Sequence, residues 1–409
     1  MADRISGYTR RGALAVAASA VGFVLSGCQD MTAGVTPDLS ASSPGTPSGF
    51  VPPAELPQAH GQTIGTGKVR VALLLPSSAS GNGAQISTEY RNAATLAMSA
   101  SGMDAIQLVI KDSGAGEANA QQAASEALRE DSSLVLGPVF SASVAAAAAV
   151  VRPSGRPMIG FSSDASVAGN GVYLLSFLPR TVIRRIAGYA VRQGHGSMVA
   201  VLPNGPYGDL VLAELKQTLS TAGGTLLGVA RYDANPQSIW AAAQTLGKQA
   251  GEASAIFVPE GGELPVTVAR SLEGAGVKLD GKKLLGTGQW STSDLSSPVF
   301  EGAWYADVNQ DAFADFKARY QAAYGAAPSL NAGLGYDAVT LAAGLAKRLG
   351  PAGLTRQALE TPSGFSGVTG PFRFLPDGTT ERSLAIYEIS KGKASIADAP
   401  PASFGPSAS

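Results

Sequence analysis

Residues 133–164 constrain the fold more than any other stretch of this chain. They read SSLVLGPVF, then SASVAAAAAVV, then RPSGRPMIGFSSD. Leu134, Val135 and Leu136 form a short apolar run that Gly137-Pro138 stops. An alanine-rich helix is expected over 142–151, ended by Pro153, Gly155 and Pro157, and a second apolar run follows over 158–161. This order is a β-α-β unit. Its crossover is expected to be right-handed, which lays the two strands parallel with their carboxyl ends facing the same way. Each end carries hydroxyls: Ser141 and Ser143 after the first strand, Ser162 and Ser163 after the second. Ligands of open α/β sheets sit outside the carboxyl ends of the strands. Ser141 also opens a helix, where free N–H groups and the dipole favour an anion. Serines in these places serve equally as N-caps and loop formers, so both readings stand.

The unit recurs along the chain. Residues 69–75 (VRVALLL) are a buried-strand run stopped by Pro76, followed by a small polar loop over 77–83 that begins with Ser77. A helix is expected over 87–101, with Tyr90, Ala93, Ala94 and Ala97 on one face, and a strand over 106–110. Ala120, Ala123, Ala124, Ala127 and Leu128 then recur at helical spacing. Residues 172–177 read as an edge strand, after which the pattern restarts. Helices are expected over 181–193, 237–249 and 263–275, together with one that the turn at 204–208 opens and that runs to 222, with strands over 198–202, 225–230, 255–258 and 283–285. Two more helices are expected over 313–324 and 332–349. Strands over 372–374 and 385–389 flank Asp377-Gly378, a β-turn signal. The implied architecture is α/β, with two Rossmann-like lobes whose parallel sheets are joined by a hinge. Residues 68–179 with 309–361 form the first lobe, and 180–308 with 362–392 the second. The tail over 393–409 is rich in Pro, Ala and Ser and is expected to lack order.

A chain of 409 residues accommodates such lobes, each with a sizeable core. Lys plus Arg is 30 and Asp plus Glu is 31, so the balance offers no basic face for nucleic acid. The single cysteine, Cys28, excludes an intramolecular disulfide. Arg10-Arg11 precede an apolar run over 12–24 that is too short to span a bilayer. Leu25-Ser26-Gly27-Cys28 then resembles the bacterial lipoprotein signal. That resemblance implies a signal peptide over 1–27 and lipidation of Cys28 as the first mature residue. Thr9-Arg10-Arg11 also resembles a twin-arginine export signal. Residues 28–67 carry Pro37, Pro44, Pro47, Pro52, Pro53 and Pro57 among small polar residues. They are expected to form a tether, disordered or partly polyproline II, that reaches on the order of 120 Å at ~3.1 Å per residue.

Catalytic signatures are missing. His60 falls in the tether and His195 follows a helix, and neither belongs to a metal-ligand pattern. No GxSxG, HExxH or GxxxxGK[ST] occurs, and Gly65-Thr66-Gly67-Lys68 precedes a strand, the wrong context for a phosphate loop. Two lobes with polar strand-end loops instead suit non-enzymatic binding in a cleft that closes by hinge motion. Neither a cofactor nor a metal is expected.

Residues 68–392 resemble a class I periplasmic binding protein of the leucine/isoleucine/valine-binding type. The resemblance is carried by KVRVALLLP at 68–76, LVLGPVFS at 134–141, PMIGFSS at 157–163, Tyr207-Gly208, GYDAV at 335–339 and GPFRFLPDG at 370–378. It implies two lobes joined by three crossovers and a small ligand, often an amino acid, bound between them for delivery to an ABC-type membrane transporter. Carried across residue by residue, it implies that Ser141 anchors a ligand carboxylate and that Ser162, Ser163 and Asp164 form the neighbouring loop. A carboxylate at Asp164, where the family has a hydroxyl, would repel a ligand carboxylate. The second-lobe aromatic matches Tyr207. The acid that pairs with a ligand ammonium is absent from Gly286-Thr287-Gly288-Gln289, which leaves Gln289 or Glu260 as substitutes. The expected ligand contacts are therefore Ser77, Ser141, Ser162, Ser163, Tyr207, Glu260 and Gln289.

The tethered lipoprotein form, the LLLP opening and Leu178-Pro179 also resemble penicillin-binding-protein activators, which imply a peptidoglycan synthase as partner in place of a solute and a transporter. Either reading places the chain in the cell envelope, anchored to a membrane through lipid on Cys28. Trp240, Trp290 and Trp304 suit core or binding surface.

Overall fold

The computed structural model describes residues 56–101, 103–233, 235–401 and Phe404. The expected signal peptide, Cys28 and the tether as far as residue 55 lie outside the described residues. In chain order, the first part comprises β1 (Gln62–Ile64), β2 (Arg70–Leu75), α1 (Asn82–Ser101), β3 (Gln107–Asp112), α2 (Glu117–Arg129), β4 (Leu134–Leu136), α3 (Ser141–Val151), β5 (Met158–Gly160) and β6 (Val172–Leu174). The second part comprises α4 (Pro179–Arg192), β7 (Ser197–Pro203), α5 (Pro206–Ala222), β8 (Thr225–Tyr232), α6 (Pro236–Thr245), α7 (Gly247–Glu252), β9 (Ala255–Phe257), α8 (Leu264–Gly274), β10 (Lys283–Thr287) and β11 (Trp304–Asp307). Then follow α9 (Gln310–Tyr324), α10 (Leu330–Leu349), α11 (Arg356–Leu359), β12 (Phe372–Phe374), β13 (Thr380–Arg382), β14 (Ala385–Ser390) and β15 (Lys393–Asp398).

Two large sheets result, ordered β1-β3-β2-β4-β5-β6 and β15-β14-β11-β10-β9-β7-β8, and β12 and β13 form a third, two-stranded sheet. The interiors of the two large sheets are parallel. Every residue of β2 is buried, as expected for a strand covered on both faces. Its alternation divides the first lobe: Val71, Leu73 and Leu75 pack against α1 and α10, while Ala72 and Leu74 pack against α2 and α3. The alanines explain the second of these layers. Ala120, Ala123, Ala124 and Ala127 of α2 meet Ala146, Ala147 and Ala148 of α3, and small side chains let the two helices approach each other and the sheet closely. In the second lobe, α4 and α5 cover one face and α6 and α8 the other.

The parallel sheets gain antiparallel edges that the sequence pattern conceals. β1 pairs antiparallel with β3, so order begins inside the expected tether rather than at Lys68. Lys111 holds this segment by donating to the His60 carbonyl (2.8 Å) and to Glu130 (2.9 Å), and Glu130 also accepts from the His60 backbone (3.0 Å). β15 pairs antiparallel with β14, so residues 393–398 are a strand rather than a disordered tail. The Asp377-Gly378 turn forms, with Asp377 accepting from the Thr379 N–H and hydroxyl. Its second strand is β13, not the expected 385–389 segment, which pairs with β11. The helix expected over 237–249 breaks into α6 and α7 around Leu246.

The chain passes between the sheets after β6, after β11 and after β13. Phe372 and Phe374 pack into the first core beside Tyr173, so the third crossing lies at 383–384 rather than near 362. A buried polar network braces it. Asp337, from GYDAV, accepts from the Val368 N–H (2.7 Å), the Thr369 N–H (3.2 Å) and the Thr369 hydroxyl. Arg382 donates to Thr369 Oγ1 (2.9 Å) and to the Ser176 carbonyl of the first crossing (3.0 Å).

Candidate functional site

The topology fixes where the strand-end loops lie. β6 leads into the first crossing, and β6, β5, β4, β2 and β3 run parallel. The loops after β2, β4 and β5 therefore leave the first sheet on the side of the crossings. β11 leads into the second crossing and runs parallel to β10, β9, β7 and β8. Tyr207, Glu260 and Gln289 follow β7, β9 and β10 and leave their sheet on the corresponding side. All the residues expected to touch a ligand thus lie at the crossing-side ends of the two sheets.

In the first lobe, β4 exits through Gly137, whose φ is +80° and where a Cβ would stand 2.2 Å from the Leu74 carbonyl oxygen. Only glycine lets this exit lie against β2. α3 then starts at Ser141, but Phe140 occupies the N-cap position and no side chain caps the helix. The Ser141 hydroxyl instead donates to Asp164 Oδ2 at 2.5 Å. Asp164 Oδ1 accepts from the Ser166 N–H (3.0 Å) and hydroxyl (2.7 Å). The hydrogen bonds from Ser141 and Ser166 hold the Asp164 carboxyl below the ordinary carboxylate range. Ser162 is buried and accepts from the Asp164 N–H (3.1 Å), while Ser163 is exposed. Ser143 turns into the core of its helix, its hydroxyl unpartnered among the described residues. Ser77 lies 3.0 Å from the Ser87 hydroxyl and accepts from Arg91 (2.9 Å). The sequence pattern does not single out Arg91, which lies in the third turn of α1 and reaches back to the Ser77 loop.

In the second lobe, α5 starts tight against β7. A Cβ on Gly208 would lie 1.9 Å from the Pro203 carbonyl oxygen, so glycine here permits the approach that seats Tyr207. Gln289 donates to the Tyr207 hydroxyl (3.2 Å), and burial together with the nearby Glu260 charge pushes that hydroxyl up to about 12. Glu260 accepts from the Tyr232 hydroxyl, whose pKa is raised by burial and by this contact. Tyr232 went unnoticed in the sequence, although its place at the carboxyl end of β8 follows the rule that found the others. Trp290 is fully buried, and its indole N–H donates to the Val258 and Glu260 carbonyls (both 3.1 Å), fixing the backbone beneath Glu260. Trp304 is buried beside Tyr189, and Trp240 is 43% exposed, remote from this cluster on α6.

The structure therefore joins Ser141, Ser162 and Asp164 into one cluster and Tyr207, Glu260, Gln289 and Tyr232 into another. The hydrogen bonds of each cluster close within its own lobe. Asp164 stands where the resemblance has a hydroxyl, and its carboxylate accepts the hydrogen bond of the Ser141 hydroxyl.

A family model described as "Periplasmic binding protein" matches residues 68–394. No curated protein matches the chain. Among solved structures, a chain from Rhodospirillum rubrum assigned to branched-chain amino acid ABC transport has a TM-score of 0.70 at 20% identity, covering 80% of this chain and 99% of that one. A branched-chain amino acid ABC transporter periplasmic ligand-binding protein from Burkholderia xenovorans has a TM-score of 0.65 at 19% identity, covering 83% and 97%. The branched-chain amino acid transporter substrate-binding protein LivJ from Streptococcus pneumoniae, in complex with isoleucine, has a TM-score of 0.56 at 21% identity, covering 81% and 99%.

Proposed function

The chain belongs to the periplasmic binding protein family, and on that premise we propose that it is an extracytoplasmic solute-binding protein of an ABC-type transporter, held to a membrane through lipid on Cys28. A small polar ligand binds between the lobes. Ser77, Ser141, Ser162 and Ser163 meet it from one side, and Tyr207, Glu260 and Gln289 from the other. The observation that carries this reading is the placement of both polar clusters at the crossing-side ends of their sheets, where hinge closure would bring them onto a ligand.

The Ser141–Asp164 bond narrows the ligand. An ionised carboxylate repels another placed beside it, and the Ser141 hydroxyl retains only its accepting lone pairs. The ligand group at this cluster is therefore a hydrogen-bond donor, as in an amino-acid amide or an amine, rather than the free carboxylate of isoleucine. The same bond favours a second reading, in which the fold has given up a carboxylate ligand and contacts a peptidoglycan synthase. A thermal-shift panel of free amino acids, amino-acid amides and amines on the full chain separates the two. At ~100 times the dissociation constant a ligand stabilises the fold by about 2.7 kcal/mol, a shift of several degrees. A hit among amides or amines that Ser141→Ala weakens supports solute binding. A flat panel, with capture of a peptidoglycan synthase, would replace it by the second reading.

A further inference from the structure

A second candidate site lies behind the hinge and shares no residue with the clusters above. A cavity of about 300 Å³ is walled on one side by α4 and on the other by Leu375, the strip from Thr379 to Leu384, Pro401 and Phe404. That volume falls at the lower end of the range for small-ligand pockets. Its lining holds Arg180, Arg184, Arg185, Arg192 and Arg382 and one carboxylate, Glu381, while Glu214, Asp377, Asp398 and Asp337 face Arg180, Arg185 and Arg382 from outside it. Glu381 is already engaged by Arg373 at 2.6 Å.

The helix breaks local rules to present these groups. Its first turn holds no acidic residue and carries Arg180 at the positive end of the helix dipole. Arg180, Arg184, Gly188 and Arg192 recur at four-residue spacing and share one face. At Gly188, buried between them, a Cβ would meet only Arg192 Nη1, at 3.5 Å. Arg180 reaches Glu214 and Asp377 only at 3.6 and 3.4 Å, and Arg185 pairs with Asp398 at 2.9 Å. Among the described residues Arg184 and Arg192 have neither a hydrogen bond nor an ion pair. Arg382 is 5% exposed, and its Nη2 has no hydrogen-bond partner among the described residues. Such departures without local compensation mark functional positions.

We propose that this cavity binds a phosphate-bearing polyanion, gripped by Arg184 and Arg192 from α4 and approached by Arg382 from the hinge strip. Guanidinium groups lining two walls match the several oxygens of a multiply charged phosphate, to which each presents paired N–H donors. Because α4 follows the first crossing and the strip contains the third, an occupant touches both sides of the hinge and biases the lobes toward one arrangement.

The test is calorimetric titration of the full chain with inorganic pyrophosphate, and a parallel sedimentation assay with phosphatidylglycerol vesicles, each against NaCl at equal ionic strength. Arg184→Ala with Arg192→Ala is compared with the parent chain, equal melting temperatures establishing that the exposed substitutions leave the fold intact. Saturable pyrophosphate binding that weakens at least tenfold in the double variant supports the site with a free phosphate compound as occupant. Vesicle binding alone, with the same loss, supports it with a lipid headgroup as the source of phosphate. No binding beyond the NaCl control, or binding that the double variant retains, overturns it.

Discussion

Replacing Asp337 by alanine tests whether the hinge is held by its buried carboxylate. Asp337 is 3% exposed and satisfies two backbone N–H groups and the Thr369 hydroxyl. Alanine leaves those three donors without their acceptor in a space too small for free hydration: a Cβ on Gly367 would already lie 2.4 Å from Asp337 Oδ2. A buried unsatisfied donor costs about 1–3 kcal/mol. Arg382, whose guanidinium burial lowers to about 10 and which the Asp337 charge steadies, is left buried as an uncompensated cation. Among the described residues the two do not form a contact ion pair, so this adds less than the ~3–5 kcal/mol of a broken buried pair. The donors and the cation overlap in origin, so the total is about 4 kcal/mol rather than their sum. Guanidinium unfolding followed by fluorescence and circular dichroism is the assay, with a lower midpoint and an unchanged slope as the expected result. Asp337→Asn, which keeps one acceptor, falls between the two. A loss below about 1 kcal/mol for Asp337→Ala would refute the reasoning, because buried water would then have to serve all three donors.

Trp290→Ala removes a fully buried ring packed on Phe300 and Tyr305. It should cost about 3–5 kcal/mol in denaturant unfolding and loosen Glu260, which backbone hydrogen exchange at 258–261 would report. Asp307 accepts from the Val308 N–H and from Gln310 at the second crossing, and burial pushes its carboxyl up to about 6 against an ordinary 3.8. A raised acid pKa favours the protonated folded state, so its contribution is full below about pH 4 and lost as pH rises through about 6. Asp307→Asn should therefore gain on the parent by on the order of 2 kcal/mol across that window, and stability curves that stay parallel from pH 4 to 7 would remove Asp307 from the account. Lys111→Met leaves the buried Glu130 carboxylate with only its His60 contacts, at about 3 kcal/mol, and should free residues 57–64, seen as faster amide exchange in β1.

The interior of the fold was legible because its signals are local. A run such as VALLL bounded by Pro76 can only be a doubly covered strand, and the 120–128 alanines can only be one helix face. The edges were not legible. Residues 62–64 and 393–398 have no apolar alternation, because edge strands bury little; backbone pairing with β3 and β14 orders them, and Lys111 helps to fix the first. The third crossing was misplaced for a similar reason. Phe372 and Phe374 look the same in sequence whichever core receives them. At the site, strand-end position pointed to Ser141, and the family resemblance pointed to Tyr207 and Glu260. Neither could show that Ser141 donates to Asp164, or that Tyr232 reaches Glu260 from two strands away, since both contacts join residues more than twenty positions apart through the fold.

A matched titration tests whether the proposed solute presents a hydrogen-bond donor to the Ser141–Asp164 cluster. Leucine and leucinamide are each titrated into the parent chain and into Asp164→Ser. The account expects the parent to favour the amide by at least tenfold, about 1.4 kcal/mol, and Asp164→Ser to shift the preference toward the free acid. Tighter binding of leucine than of leucinamide by the parent, or a preference that Asp164→Ser leaves untouched, would contradict it.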